Sequence, residues 1–228
     1  MQKSVLIVGT ASGVGKTVVM MAIAAYYQTF CSDRSIALYT PISSGRRDPQ
    51  QYQAVLNLAQ SLDELSTISI TGEGEPALLA AQENQAIDLA AIWKDYQSLA
   101  SSHDLVLIEA FGGLGTPLTQ ETTVADLAWD WRLPTLLVVP VRPGAMGEAI
   151  AHVALARHSR VHLKGIILTC PTPMSDDDVV TVVDAAQLQS MTQIPVLGCI
   201  PYLEAVGDRS KLAQAASNLD IERILPFL

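Results

Sequence analysis

Lys16 and Thr17 directly follow the glycine-bearing stretch Gly9-Thr10-Ala11-Ser12-Gly13-Val14-Gly15. Residues of these types in this order have the chemistry of a phosphate cradle. Glycines at 13 and 15 let the backbone turn inward, so that successive N–H groups face a single anion. The lysine beside them reaches between terminal phosphates, and the threonine hydroxyl after it falls where Mg2+ is held. The ending matches the Walker A pattern G-K-[ST]. Its early glycine, Gly9, stands one residue further out than the usual spacing, with Thr10 in the expected place, so the loop is a variant. Without a ligand the same residues would make an ordinary strand-to-helix turn carrying an incidental lysine. A second chemical candidate is Glu109, which closes the apolar run LVLIE at 105–109. An acid at the end of a buried strand in a phosphate-loop protein suits a metal role, the alternative being a cap on the next turn.

A phosphate loop needs a strand before it and a helix after it, and the sequence supplies both. Residues 4–8 (SVLIV) form a β-branched apolar run, and residues 16–30 place Val19, Ile23 and Tyr26 at helical spacing. Residues 35–40, 105–109, 134–140, 163–169 and 196–200 read as further strands. Helices are expected at 51–61, 76–84, 89–101, 125–131, 144–158 and 209–218, and loops at 41–49, 71–76 and 112–117. Strands alternating with helices imply a mostly parallel sheet with right-handed crossovers and helices on both faces, a three-layer α/β fold of the P-loop NTPase type. No repeat, low-complexity segment or linker interrupts the pattern, so residues 1–228 are expected to form one domain.

Hydrophobic residues make up 49% of the 228 and charged residues 16%, a balance suited to a sheet buried on both faces. The net charge of -9 argues against nucleic acid and anionic membrane as partners. No apolar run approaches the ~20 residues of a membrane span and no cleavable signal is visible, so a cytoplasmic protein is expected. Cys31, Cys170 and Cys199 are odd in number and lack CxxC spacing, which predicts buried, reduced thiols. His152, His158 and His162 make no recognised metal spacing and read as surface or helix-end residues. Asp176 to Asp178 read as acids entering a helix, and Trp93, Trp129 and Trp131 as packing residues.

The loop GTASGVGKT resembles the GTDTxVGKT signature of the dethiobiotin synthetase family. Tyr39-Thr40-Pro41-Ile42-Ser43-Ser44-Gly45 is similar to that family's x-K-P-x-x-[ST]-G stretch. Ile108-Glu109-Ala110-Phe111-Gly112-Gly113, with Thr116-Pro117-Leu118, resembles its VEGAGG…PL segment. Ala125-Asp126-Leu127, Leu133-Pro134 and Val138-Val139 continue the match. Leu197-Gly198-Cys199-Ile200-Pro201-Tyr202-Leu203 is similar to its late LGxIPxL strand and loop. The likeness runs from about Val5 to Leu203.

The resemblance implies an ATP- and Mg2+-dependent ligase of biotin synthesis that joins CO2 to 7,8-diaminononanoate, forming the cyclic urea of dethiobiotin. It implies that Ser12, Gly13, Val14, Gly15, Lys16, Thr17 and Val18 hold the phosphates, with Glu109 and Gly112 nearby. Adenine would sit near Thr169 and the loop of Pro201, Tyr202 and Leu203. Thr17, Asp48 and Glu109 would hold the metal. Lys16, Thr40 and Ser44 would stand at the reacting groups, Ser44 and Gly112 lining the diamine site. It also implies a homodimer in which Gly144, Ala145 and Met146 receive the carboxylate of the partner's diamine, although Gly144 equally suits a plain helix start.

This sequence departs from the pattern. Thr40 stands where the family carries a second lysine, Ala11 replaces an aspartate, and Thr169 replaces an asparagine that reads adenine. Arg46 or Arg47 would supply the missing charge from the following loop, or would simply be solvated. A nucleotide-binding homologue with weak or no ligase activity is the main alternative. An amide ligase would need a separate ammonia source. A lysine-bridged ATPase switch lacks its first lysine, since that position is Ala11.

Overall fold

Val5 and Ile7 of β1 (Ser4–Gly9) pack into one hydrophobic core and Leu6 and Val8 into another, and all four are buried. Alternate side chains of a strand point to opposite faces, so a strand apolar throughout must be covered on both. The same division recurs in β5 (Leu105–Gly113) and β6 (Thr135–Pro140). There Leu105, Leu107, Leu136 and Val138 join one core, and Val106, Ile108, Leu137 and Val139 the other. The computed structural model describes residues 3–45, 47–72 and 74–225.

These strands belong to a six-stranded sheet in the order β2-β5-β1-β6-β7-β8, parallel at every pairing. The remaining members are β2 (Ile36–Tyr39), β7 (Leu163–Thr169) and β8 (Val196–Ile200). From β1 the chain goes to β2 on one side and reaches β6 on the other only later. The C-terminal strand ends beside β1 therefore form the crevice where such sheets bind ligands.

One face carries α1 (Lys16–Phe30), α2 (Arg47–Leu56), α3 (Leu62–Leu65), α10 (Arg209–Ala216) and α11 (Ile221–Ile224). The other carries α4 (Pro76–Gln82), α5 (Leu89–Ser102), α6 (Val124–Asp130), α7 (Ala145–His158) and α9 (Ala185–Thr192). Helix α1 is apolar nearly all round because it lies between the sheet and α10. Its Val19, Met20, Ile23 and Tyr27 are fully buried, and side chains of this size contribute roughly 1.5–3 kcal/mol each on burial. Across the sheet, Trp93 and Tyr96 of α5 pack with Trp131, and the Tyr96 and Trp131 rings stack at 5.3 Å.

Several expectations are corrected. The loop expected at 41–49 contains β3 (Ile42–Ser44), which pairs in parallel with β4 (Ile68–Ile70), and α2 begins at Arg47 rather than 51. Helix α2 ends at Leu56, and Ser61 caps α3 separately through a reciprocal bond with Glu64. Strand β5 runs on through Gly113, beyond the expected end at Glu109, because Gly113 still pairs with Gly9. Helices α9 and α11 are additional, each started by an aspartate cap, Asp184 and Asp220. Asp176 to Asp178 do open a helix, α8 (Asp176–Val182), behind a Ser175 capping box. Trp129 is not a core residue: it is exposed, with the Arg160 guanidinium 5.8 Å from its ring centre. None of the three cysteines is fully buried, and the Cys170 and Cys199 sulfurs lie 3.6 Å apart as free thiols. Arg46 and the Arg47 side chain lie outside the described residues. Among the described residues no helix is long and apolar enough to cross a membrane.

Candidate active site

The loop from β1 to α1 folds back on itself. A side chain at Gly9 would put a Cβ 2.5 Å from Val14 Cγ2 and 2.7 Å from the Ala11 carbonyl oxygen, so only glycine fits. Gly15, at φ 95°, is the left-handed residue that turns the loop into the helix. As the N-cap of α1 it offers no side chain, whereas α5, α9, α10 and α11 all have aspartate caps. The first N–H groups of α1 are thus left to an anion. Lys16 lies along the loop with Nζ 3.2 Å from the Ala11 carbonyl oxygen. Burial lowers its pKa, while the charges of Glu109 and Asp48 pull it back up.

Two cavities meet over this loop and share Gly13 and Gly15. The first, about 630 Å³, is lined by Ser12, Lys16, Thr17, Thr40, Ser44, Asp48, Glu109 and Gly112 among others. The second, about 650 Å³, is more apolar and is lined by Val14, Val18, Thr169, Cys170, Pro201, Tyr202 and Leu203. Apart from Arg46 and Arg47, every residue named from the sequence for ATP, metal or reacting groups therefore borders one of two adjoining spaces. Gly144, Ala145 and Met146 border neither.

Glu109 is the electrostatic centre of the first cavity. Thr17 Oγ1 donates to its Oε1 at 3.0 Å, and the Tyr52 hydroxyl donates to its Oε2. Burial pushes the Glu109 carboxyl up to about 7, against the Lys16 charge and these two donors, which favour the anion; Asp48 adds to the rise. Tyr52 is itself buried, and burial together with the Glu109 charge pushes its hydroxyl well above the ordinary tyrosine value. Thr40 stands close enough to temper that rise, yet its Oγ1 is buried without a partner in hydrogen-bond geometry. Thr10 Oγ1, in the phosphate loop, is orphaned in the same way. Of the two, only Thr40 lines a cavity, so its oxygen suits a polar ligand there.

The donors fit a hard divalent cation. The Thr17 hydroxyl, Glu109 and Asp48 all present oxygen atoms on one cavity wall, the donor type such a cation takes. Among the described residues no group of three or more His, Cys, Asp or Glu could hold a metal by itself.

Sequence reasoning missed Tyr52. Its one signal is spacing: it stands four residues after Asp48, on the same face of α2. Thr169 was expected beside adenine; it lines the second cavity. Its hydroxyl, however, is already committed to the Val14 carbonyl oxygen at 2.7 Å.

Fold and loop together define a P-loop nucleotide-binding protein. Residues 3–210 match the family described as an AAA domain. The ATP-dependent dethiobiotin synthetase BioD of Crocosphaera subtropica is 43% identical, over 97% of this chain and 99% of that protein. Its counterpart in Synechocystis sp. is 42% identical, over 99% and 96%. The MinD cell division protein of Aquifex aeolicus shares the fold, with a TM-score of 0.56 at 14% identity, covering 93% of this chain and 87% of that one. The chain belongs to the dethiobiotin synthetase family.

Proposed function

We propose that the protein carboxylates 7,8-diaminononanoate with CO2 and closes the ring to dethiobiotin, using ATP and Mg2+. What carries this reading is the full-length kinship with dethiobiotin synthetases, joined to one cavity in which Lys16, Thr17 and Glu109 converge. One amine of the substrate attacks CO2 and loses a proton, giving a carbamate. A carbamate oxygen takes the γ-phosphoryl group and ADP leaves. The second amine attacks the carbonyl carbon, loses its proton and expels phosphate. Phosphoryl transfer asks mainly for positioning and charge neutralisation.

Lys16 would trade its bond to the Ala11 carbonyl for oxygens of the γ-phosphate and carbamate. Mg2+, when bound, neutralises phosphate charge, and Thr17, Glu109 and Asp48 would hold it. Thr40 and Ser44 would face the carbamate end, with Gly112 beside the diamine. The base would lie among Thr169, Pro201, Tyr202 and Leu203. One central sheet with a core on each face supports reading the chain as one domain.

A homodimer belongs to the same proposal. Helix α7 starts on Gly144 at φ 87° without a side-chain cap, outside both cavities of its own chain. It is free to receive the carboxylate of a diamine held by a second copy. Light scattering tests this: a particle of about one chain mass, 24.4 kDa, with full activity would exclude it.

The direct assay mixes protein, diaminononanoate, bicarbonate, ATP and Mg2+, and follows dethiobiotin and phosphate beside a Lys16→Ala control. Formation of dethiobiotin that the control loses by about 10²–10³-fold is expected. The uncharged Thr40 favours one second reading, a nucleotide binder without ligase activity. ATP binding with no product from the wild type would establish that reading instead.

A further inference from the structure

Tyr52 approaches the site from behind. It is fully buried and absent from both cavity walls, so it meets a ligand only through the residues it touches. Its hydroxyl donates to Glu109 Oε2 while Thr17 Oγ1 donates to Oε1. The carboxylate is thereby gripped at both oxygens, by α2 on one side and α1 on the other. It cannot rotate without breaking one of these bonds. Packing does not require the hydroxyl, because a phenylalanine would fill the same space. Burying a phenol oxygen is unfavourable unless it is satisfied, and here its partner is an acid of the site.

We infer that Tyr52 is a positioning residue for the divalent cation, holding Glu109 so that one oxygen stands beside the Thr17 hydroxyl at the metal side of the cavity. The inference rests on the reading of Glu109 as a metal ligand. Groups that hydrogen-bond a ligating carboxylate fix its orientation, and their loss commonly weakens metal binding 10–100-fold. A glutamate side chain left free must also be ordered when the cation arrives, at a cost in rotamer entropy. Tyr52 removes that cost in advance. The same helix carries Asp48 one turn earlier, so α2 brings a direct oxygen and the support for another in one rigid piece.

The test is direct binding of Mn2+, followed by the EPR signal of the free ion, to protein saturated with a non-hydrolysable ATP analogue. Wild type, Tyr52→Phe, Glu109→Gln and the double variant are compared, and thermal melting checks that each is folded. Tyr52→Phe is expected to bind Mn2+ about tenfold or more weakly. Its affinity for the analogue in EDTA should stay within about twofold of wild type, a readout that general loosening of the site would move. The double variant should bind no more weakly than Glu109→Gln alone, since both changes act through one carboxylate. Tyr52→His, which keeps a ring N–H donor, should recover part of the loss and serves if Tyr52→Phe does not fold. Mn2+ affinity of Tyr52→Phe within twofold of wild type, or additive losses in the double variant, would overturn the inference. So would a wild type that takes up no Mn2+ beside the analogue. The titration contains no diamine, so its failure is distinct from a failure to make dethiobiotin.

Discussion

Thr169, at the end of β7, donates its hydroxyl to the carbonyl oxygen of Val14 in the phosphate loop at 2.7 Å, joining residues 155 apart in sequence. A Cβ on Gly15 would stand 3.3 Å from the Thr169 methyl, so the threonine also packs against the turn into α1. The loop is thus braced by a strand two places away in the sheet.

Thr169→Val should keep the methyl contact and remove the bond. A net hydrogen bond of about 1 kcal/mol corresponds to a roughly five- to tenfold loss of ATP affinity. Calorimetric titration of the nucleotide checks this. Unchanged affinity would mean that the loop holds its shape unaided.

Thr40 bears on activity more than on stability. Its hydroxyl is buried at the cavity wall, beside Tyr52 and without a partner in hydrogen-bond geometry. Thr40→Val should leave apo stability within about 1 kcal/mol of wild type in chemical denaturation and slow dethiobiotin formation. Thr40→Lys should speed it, because an ammonium at this cavity wall neutralises transferring phosphoryl charge. A Thr40→Lys variant that is folded but slower than wild type would show that this chain has moved the task elsewhere.

Glu109 predicts a pH dependence. Its folded-state pKa, about 7, lies above the ordinary value of 4.5. Between those pH values the folded protein holds a proton that the unfolded chain has released. Stability of the ligand-free protein must therefore fall as pH rises through that window, by at most ~1.4 kcal/mol per pH unit from this group. Denaturation from pH 4.5 to 8 should show a steeper decline for wild type than for Glu109→Gln. Mg2+ with an ATP analogue should flatten the difference, since a cation favours the ionised carboxylate. Parallel curves without ligand would place the Glu109 proton in the same range folded and unfolded.

Gly9→Ala should damage the loop although it adds a single methyl at the buried end of β1. The new methyl would press on the Ala11 carbonyl, which as backbone cannot swing aside. Nucleotide affinity should drop more than tenfold, with a stability loss of about 1–3 kcal/mol. Retained affinity would show that the loop relaxes around the methyl.

The phosphate loop, the strand before it and the helix after it were legible from the sequence, as were the α/β class and the acid after the apolar run of β5, although β5 itself runs on to Gly113. These are local features. Glycine placement, apolar runs and helical spacing are set by neighbouring residues, and α1 spans the expected 16–30 for that reason. The short β3–β4 pair and the start of α2 were not legible, because three-residue strands carry no periodicity and only pairing between distant segments creates them. Nor was the grip on Glu109. Residues 17, 52 and 109 meet because β5 lies beside β1 in the sheet and α2 packs on α1, an order of elements that no local pattern encodes. The sequence by itself determined which loop has the backbone turn and the lysine suited to a phosphate. The tertiary structure decided which side chains surround it, because burial and convergence depend on contacts between residues far apart in the chain.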